Sequence, residues 1–189
     1  MNKWLAIANR FDQINQQVAI LARWAVLAML GLGLWNVVGR YIGVAIGHQL
    51  SSNGLIEGQW YLFDMVFLLG LGWTLQRQGH VRVDVLQGRW SNSKKIKIEL
   101  LGTLFLLLPF AIGVIAISIE PTVNSWMIGE VSPDPNGLPR YWIKTLIPIG
   151  FLLLALQGIA EAIRNWFKLK SLSASHPSQD NNYLENTID

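Results

Sequence analysis

Three groups of charged residues in this sequence have types and spacings suited to chemistry. In RQGHVRVDVLQGRW, residues 77–90, His80 and Asp84 stand four apart with Arg82 between them, and Val81, Val83 and Val85 alternate with the polar residues. A short amphipathic segment there puts the valines against protein or lipid and lines up His80, Arg82 and Asp84 as a polar row. Asp64 and Lys144 form the second group, each one to two turns inside an otherwise apolar run. A carboxylate at such depth is costly unless it is paired or faces an aqueous crevice, so Lys144 is the expected partner of Asp64. The pair reads as an ion pair locking two helices rather than an ion path, because a lone carboxylate cannot build a sodium cage. The third group, Glu120, Glu130 and Asp134, gives one loop an acidic cast, read either as a solvated loop or as a docking surface.

Several chemistries are excluded at once. With no Cys, the chain holds no disulfide, thiolate metal site or dithiol redox centre. His48, His80 and His176 all lie outside the apolar runs, so no pair of them can ligate a haem inside a membrane. No phosphate-binding loop or hydrolytic triad is present. Neither an enzyme nor any cofactor or metal is expected.

The elements that must position these residues are membrane helices. A chain of 189 residues that is 51% hydrophobic, 14% charged and holds 9 Trp is too apolar for a water-soluble domain of that size. Four apolar stretches approach the roughly 20 helical residues needed to cross a hydrocarbon core: 18–38, 55–75, 98–119 and 141–160. The second is the least clean, with Glu57, Gln59 and Asp64 in its outer half. No stretch alternates as a membrane barrel strand would, and backbone in lipid must be satisfied by a helix or a barrel. The fold class is therefore an all-α integral membrane protein of four transmembrane helices, within one membrane domain over residues 18–170. Pro109 and Pro148 are expected to kink the third and fourth spans. Gly31 and Gly33 in the first span, with Gly70 and Gly72 in the second, allow close helix approach, either within the chain or to another subunit.

Residues 1–17 lack the apolar centre of a signal peptide. Trp4, Ile7, Ala8, Phe11 and Ile14 recur at helical spacing, which predicts a short amphipathic helix lying along the membrane surface. Residues 171–189 are rich in Ser and Asn with no apolar period, so a disordered polar tail is expected.

Charge sets the orientation. Lys3, Arg10, Arg23, every Lys and Arg in 77–97, and those in 164–170 fall on one side. Arg40, Arg140 and Lys144 fall on the other, completing the 15 in the sequence. The richer side faces the cytoplasm, with both termini inside and the 77–90 stretch as an inner loop. Trp35, Trp60, Trp126 and Trp142 at outer ends, and Trp4, Trp24, Trp73, Trp90 and Trp166 at inner ones, form two aromatic belts consistent with this placement.

An apolar span running into arginine and then GHVRVDVL resembles the small membrane subunit of a tripartite ATP-independent periplasmic (TRAP) transporter. The resemblance extends to NGLIEGQWYLFD (53–64) and to 136–164 (NGLPRYWIKTLIPIGFLLLALQGIAEAIR), and covers most of residues 50–165. It is nearest the longer small subunits of mannitol, chloroaromatic or keto-acid type systems. The resemblance implies a bacterial inner-membrane scaffold subunit that braces a large transporting subunit in sodium-coupled uptake of organic acids or related solutes, supplied by a periplasmic solute-binding protein. His80, Arg82 and Asp84 then shape the cytoplasmic contact with the large subunit. The other expected partner is membrane lipid; nucleic acid is not expected. An accessory role also follows from the residues, since few polar groups lie near the midplane and no repeated halves are found. A stand-alone four-helix exporter acting as a homodimer is the alternative.

Overall fold

The computed structural model of the chain describes residues 2–77 and 91–174. Among these residues the chain is helical throughout apart from short connections, and it has no β-strand. Helix α1 (Asn2–Ile46) is followed by α2 (Asn53–Gln76). Next come α3 (Asn92–Gly102), a π-helical turn (Thr103–Leu107) and α4 (Leu108–Met127), and then α5 (Arg140–Ala174). Each of the four apolar stretches falls within a helix. Three helical rods are long and apolar enough to cross a membrane: Lys3–Ile46, Asn92–Met127 and Arg140–Leu172. The 24 residues of α2 are long enough for a bilayer core, but Glu57, Gln59 and Asp64 dilute its hydropathy.

The N-terminal segment is not a separate element. The helix runs unbroken through residues 17 and 18, and its 45 residues make a rod of about 67 Å, over twice a bilayer core. The packed stripe also differs from the apolar stripe expected. Ala8, Asn15, Ala19, Ala22 and Ala25 are buried, whereas Trp4, Ile7 and Ile14 are exposed. In lipid, apolarity does not distinguish inside from outside, so contacts select small residues that let backbones close up, and large side chains turn outward. The α2/α4/α5 core follows the same rule, with Ala111, Leu154 and Ala155 at its centre and Leu71, Leu107 and Phe151 around them. A Cβ on Gly150 would stand 2.7 Å from the Leu68 carbonyl oxygen, so α2 and α5 touch there nearly backbone to backbone.

Two further boundaries differ from expectation. The third rod continues beyond residue 119, through Glu120 and Pro121, to Met127. The last helix extends to Ala174, so residues 171–174 are helical rather than part of a tail, and 175–189 lie outside the described residues. Pro109 sits just after the π turn. Proline removes one amide donor and crowds the carbonyl four residues earlier, here Phe105 inside that turn, and the widened turn absorbs the misfit without breaking the rod.

Candidate functional site

Polar side chains concentrate at the two ends of the bundle. At the end nearer the N-terminus, Asp12 and Asn15 on α1 meet Gln157, Glu161 and Arg164 on α5. Asn15 and Gln157 are fully buried, and the Asn15 amide donates to Gln157 Oε1 at 2.9 Å and to the Phe11 carbonyl at 3.1 Å. Gln157 Nε2 donates to Asp12 Oδ1 at 2.9 Å. Arg164 grips both oxygens of Asp12, at 2.6 and 3.1 Å, and reaches Glu161 at 3.2 Å. A two-pronged charged contact of this kind fixes angle as well as distance, so the overlong ends of α1 and α5 are held in one register. Helix α2 closes on this point at Gly72, where a Cβ would lie 2.0 Å from Asn15 Oδ1 and 3.1 Å from the Leu153 carbonyl oxygen. Gly33 is likewise approached, by the Gln59 side chain, while Gly31 and Gly70 face open space. Nearby, the Arg23 and Arg77 guanidinium groups lie 6.0 and 5.8 Å from the centroid of the Trp73 ring, within cation–π range.

At the opposite end, the connection between α4 and α5 folds over α2 as a cap. Antiparallel pairing of Val131 with Pro139 closes it, and Asn136, at φ 59°, turns the chain. Glu57, buried on α2, accepts from the Ser132 hydroxyl and, at 2.6 Å, from the Leu138 amide. Tyr61 Oη donates to the Leu138 carbonyl at 3.4 Å. Trp126 stacks near Tyr141 and Trp142, and its indole N–H donates to Thr145 at 2.8 Å.

The expected Asp64–Lys144 pair is not formed. Lys144 instead pairs with Glu130, which also accepts from the Ser125 hydroxyl at 2.7 Å. The reason is local: Glu130 follows α4 directly, its backbone N–H returns to the Ser125 carbonyl, and Arg140 N–H donates to the Glu130 carbonyl. That pairing places the carboxylate at the start of α5, one turn from Lys144. The Lys144 hydrogen bond, then that of Ser125, holds the Glu130 carboxyl below the usual glutamate range. Of the acidic loop residues, Glu130 is therefore internally engaged rather than free for docking. Asp64 has no ion-pair partner among the described residues. His80, Arg82 and Asp84 lie outside the described residues.

Between the two ends, α2, the α3–α4 rod and α5 enclose an apolar groove of about 840 Å³. Phe67, Leu71, Leu106, Phe110 and Phe151 line it, with Glu99, Glu161 and Asn165 also at its wall. Its floor is greasy, and no membrane-deep cluster of ionisable groups stands in it.

The family model of the DctQ component of tripartite ATP-independent periplasmic transporters matches residues 29–168. The chain belongs to this family. The DctQ component is part of a transporter rather than an enzyme, and this one is a multi-pass inner-membrane protein. The ectoine TRAP transporter small permease protein TeaB of Halomonas elongata is 25% identical to it over 152 residues, covering 80% of this chain and 75% of that protein. No solved structure matches the chain. The matched region contains the whole of the Glu57–Glu130–Lys144 cluster and part of the other, with Gln157, Glu161 and Arg164 inside it and Asp12 and Asn15 before it. Sequence reasoning missed Glu57, Gln157 and Glu130 as binding partners. The signal available was a set of side chains that hydrogen-bond strongly, set in apolar helices with no local partner at helical spacing.

Proposed function

We propose that this DctQ component is a static brace: it crosses the inner membrane four times with both termini cytoplasmic and supports the large subunit that carries solute. The observation carrying this reading is the fate of its polar groups. Glu57, Glu130, Lys144, Asp12, Asn15, Gln157 and Arg164 are consumed in bonds that tie helix to helix or loop to helix, so little remains to coordinate a moving solute or ion. The large subunit docks on the side of the α3–α4 rod and the apolar groove, because almost none of the rod's most apolar stretch is covered by the rest of the chain. The 77–90 loop, with His80, Arg82 and Asp84, forms the cytoplasmic edge of that contact. A periplasmic solute-binding protein delivers the cargo to the outer face. Uptake is sodium-coupled, and the cargo is an organic acid or a related compact solute such as the ectoine named for the relative.

Reconstitution tests this. In proteoliposomes with a sodium gradient and the solute receptor, the chain alone gives no uptake, and uptake appears when the large subunit is added. Flux by the chain alone would overturn the proposal.

A further inference from the structure

We propose that the outer end of α1 and the α1–α2 connection form a binding site for the phosphate of a membrane phospholipid headgroup. The site begins with three glycines, Gly39, Gly43 and Gly47, spaced four apart. In membrane helices such spacing usually admits another helix, but here it admits the chain's own returning backbone. A Cβ on Gly43 would stand 2.4 Å from the His48 carbonyl oxygen, and one on Gly39 would stand 3.3 Å from that of Leu50. Gly47, at φ +73°, makes the reversal, and the His48 N–H caps the helix on the Gly43 carbonyl at 3.0 Å.

Folding the connection against the helix leaves a pocket of about 550 Å³ beside it. Its polar lining includes Arg40, His48, Asn36, Gln49 and Asn53, and it holds no Asp or Glu among the described residues. Arg40 has no ion-pair or hydrogen-bond partner among the described residues, so the pocket presents a cation and several neutral donors with nothing to neutralise them. Asn36, one turn deeper, has a buried side-chain oxygen with no hydrogen-bond partner among the described residues, an acceptor that suits the ammonium or hydroxyl donors of a headgroup rather than its phosphate. An oxyanion matches the cation. A lipid source matches the position: Arg40 follows Trp35 by little more than a turn, at the level where aromatic rings mark the bilayer boundary. Tyr41 and Val44, on either side of the site, are 75% and 83% exposed on a helix that faces the acyl region. A phosphodiester with its tails in lipid meets both conditions, whereas a free phosphate meets only the first.

The test uses the full-length chain purified in mild detergent, with retained phospholipid counted by native mass spectrometry. Phosphatidylglycerol, phosphatidylethanolamine, headgroup-free diacylglycerol and inorganic phosphate serve as probes. The wild-type chain retains one phospholipid of either headgroup and no diacylglycerol. Arg40→Gln and, separately, His48→Gln lower occupancy, the arginine change by about fivefold as expected for one interfacial cation. Arg40→Lys keeps most of it, and Lys95→Gln at the opposite end leaves it unchanged. Equal retention of diacylglycerol, displacement of the lipid by inorganic phosphate, or loss on Lys95→Gln equal to that on Arg40→Gln would each overturn the assignment. A wild-type chain that retains no lipid but binds the solute receptor through Arg40 would assign the pocket to a protein carboxylate instead.

Discussion

Asn15 and Gln157, 142 residues apart in the chain, are both fully buried and share a 2.9 Å hydrogen bond that joins α1 to α5 toward the N-terminal end of the bundle. A bond between neutral amides buried beside an Asp–Arg pair is a register device. Slipping either helix by one residue leaves two amides and a carboxylate without partners in a medium that offers none.

Removal of Asp12 tests that device. Asp12→Ala deprives Arg164 of both its contacts to that carboxylate, leaving it only Glu161, and deprives Gln157 of its acceptor; it is expected to cost about 2 kcal/mol of stability. Arg164→Lys does not preserve the wild-type stability, because an ammonium cannot span both oxygens as the guanidinium fork does. Thermal unfolding of the detergent-purified chain measures both. Asp12→Ala and Arg164→Ala combined should cost clearly less than their sum; additive costs would mean the contact is not formed.

Two neighbouring glycines give a paired experiment. Gly72→Ala drives a methyl group into Asn15 and the Leu153 carbonyl and is expected to cost about 1–3 kcal/mol. Gly70→Ala meets open space and is neutral or stabilising, since alanine favours the helix over glycine. Equal melting temperatures for the two variants would contradict the close contact at residue 72.

The Glu130–Lys144 ion pair is testable by coupling and by pH. In a double-mutant cycle, Glu130→Gln and Lys144→Met are non-additive, whereas Asp64→Asn and Lys144→Met add. Because the Glu130 carboxyl is held below its ordinary value, its stabilising contribution is fully present above about pH 4.5 and is lost as pH falls through the lowered value. Stability measured from pH 7 downward should therefore fall less steeply in acid for Glu130→Gln than for the wild-type chain. Coupling between positions 64 and 144 would restore the pairing expected from sequence.

For the inner loop, His80→Ala and Asp84→Ala together are expected to reduce co-purification of the large subunit severalfold while leaving membrane insertion unchanged. Unchanged co-purification would remove the loop from the contact.

Membrane character, the helical class and the positions of the four apolar stretches were legible in the sequence because each is a local property. Some 20 apolar residues in lipid have no lower-energy option than a helix, and runs such as 98–119 state this without reference to any other segment. Family membership was legible too, through the local patterns at 53–64, 77–90 and 136–164. Pairing was not. Lys144 had two carboxylates within plausible reach, and the fold of the 128–139 connection, not depth along a helix, gave it Glu130 over Asp64. Asp12 and Asn15 find their partners only because α5 runs long enough to cover them with Gln157 and Arg164. The difference is physical: a helix in lipid is decided by its own backbone and side chains, but the partner of a buried polar group is decided by whichever distant segment the packing of small residues brings within 3 Å.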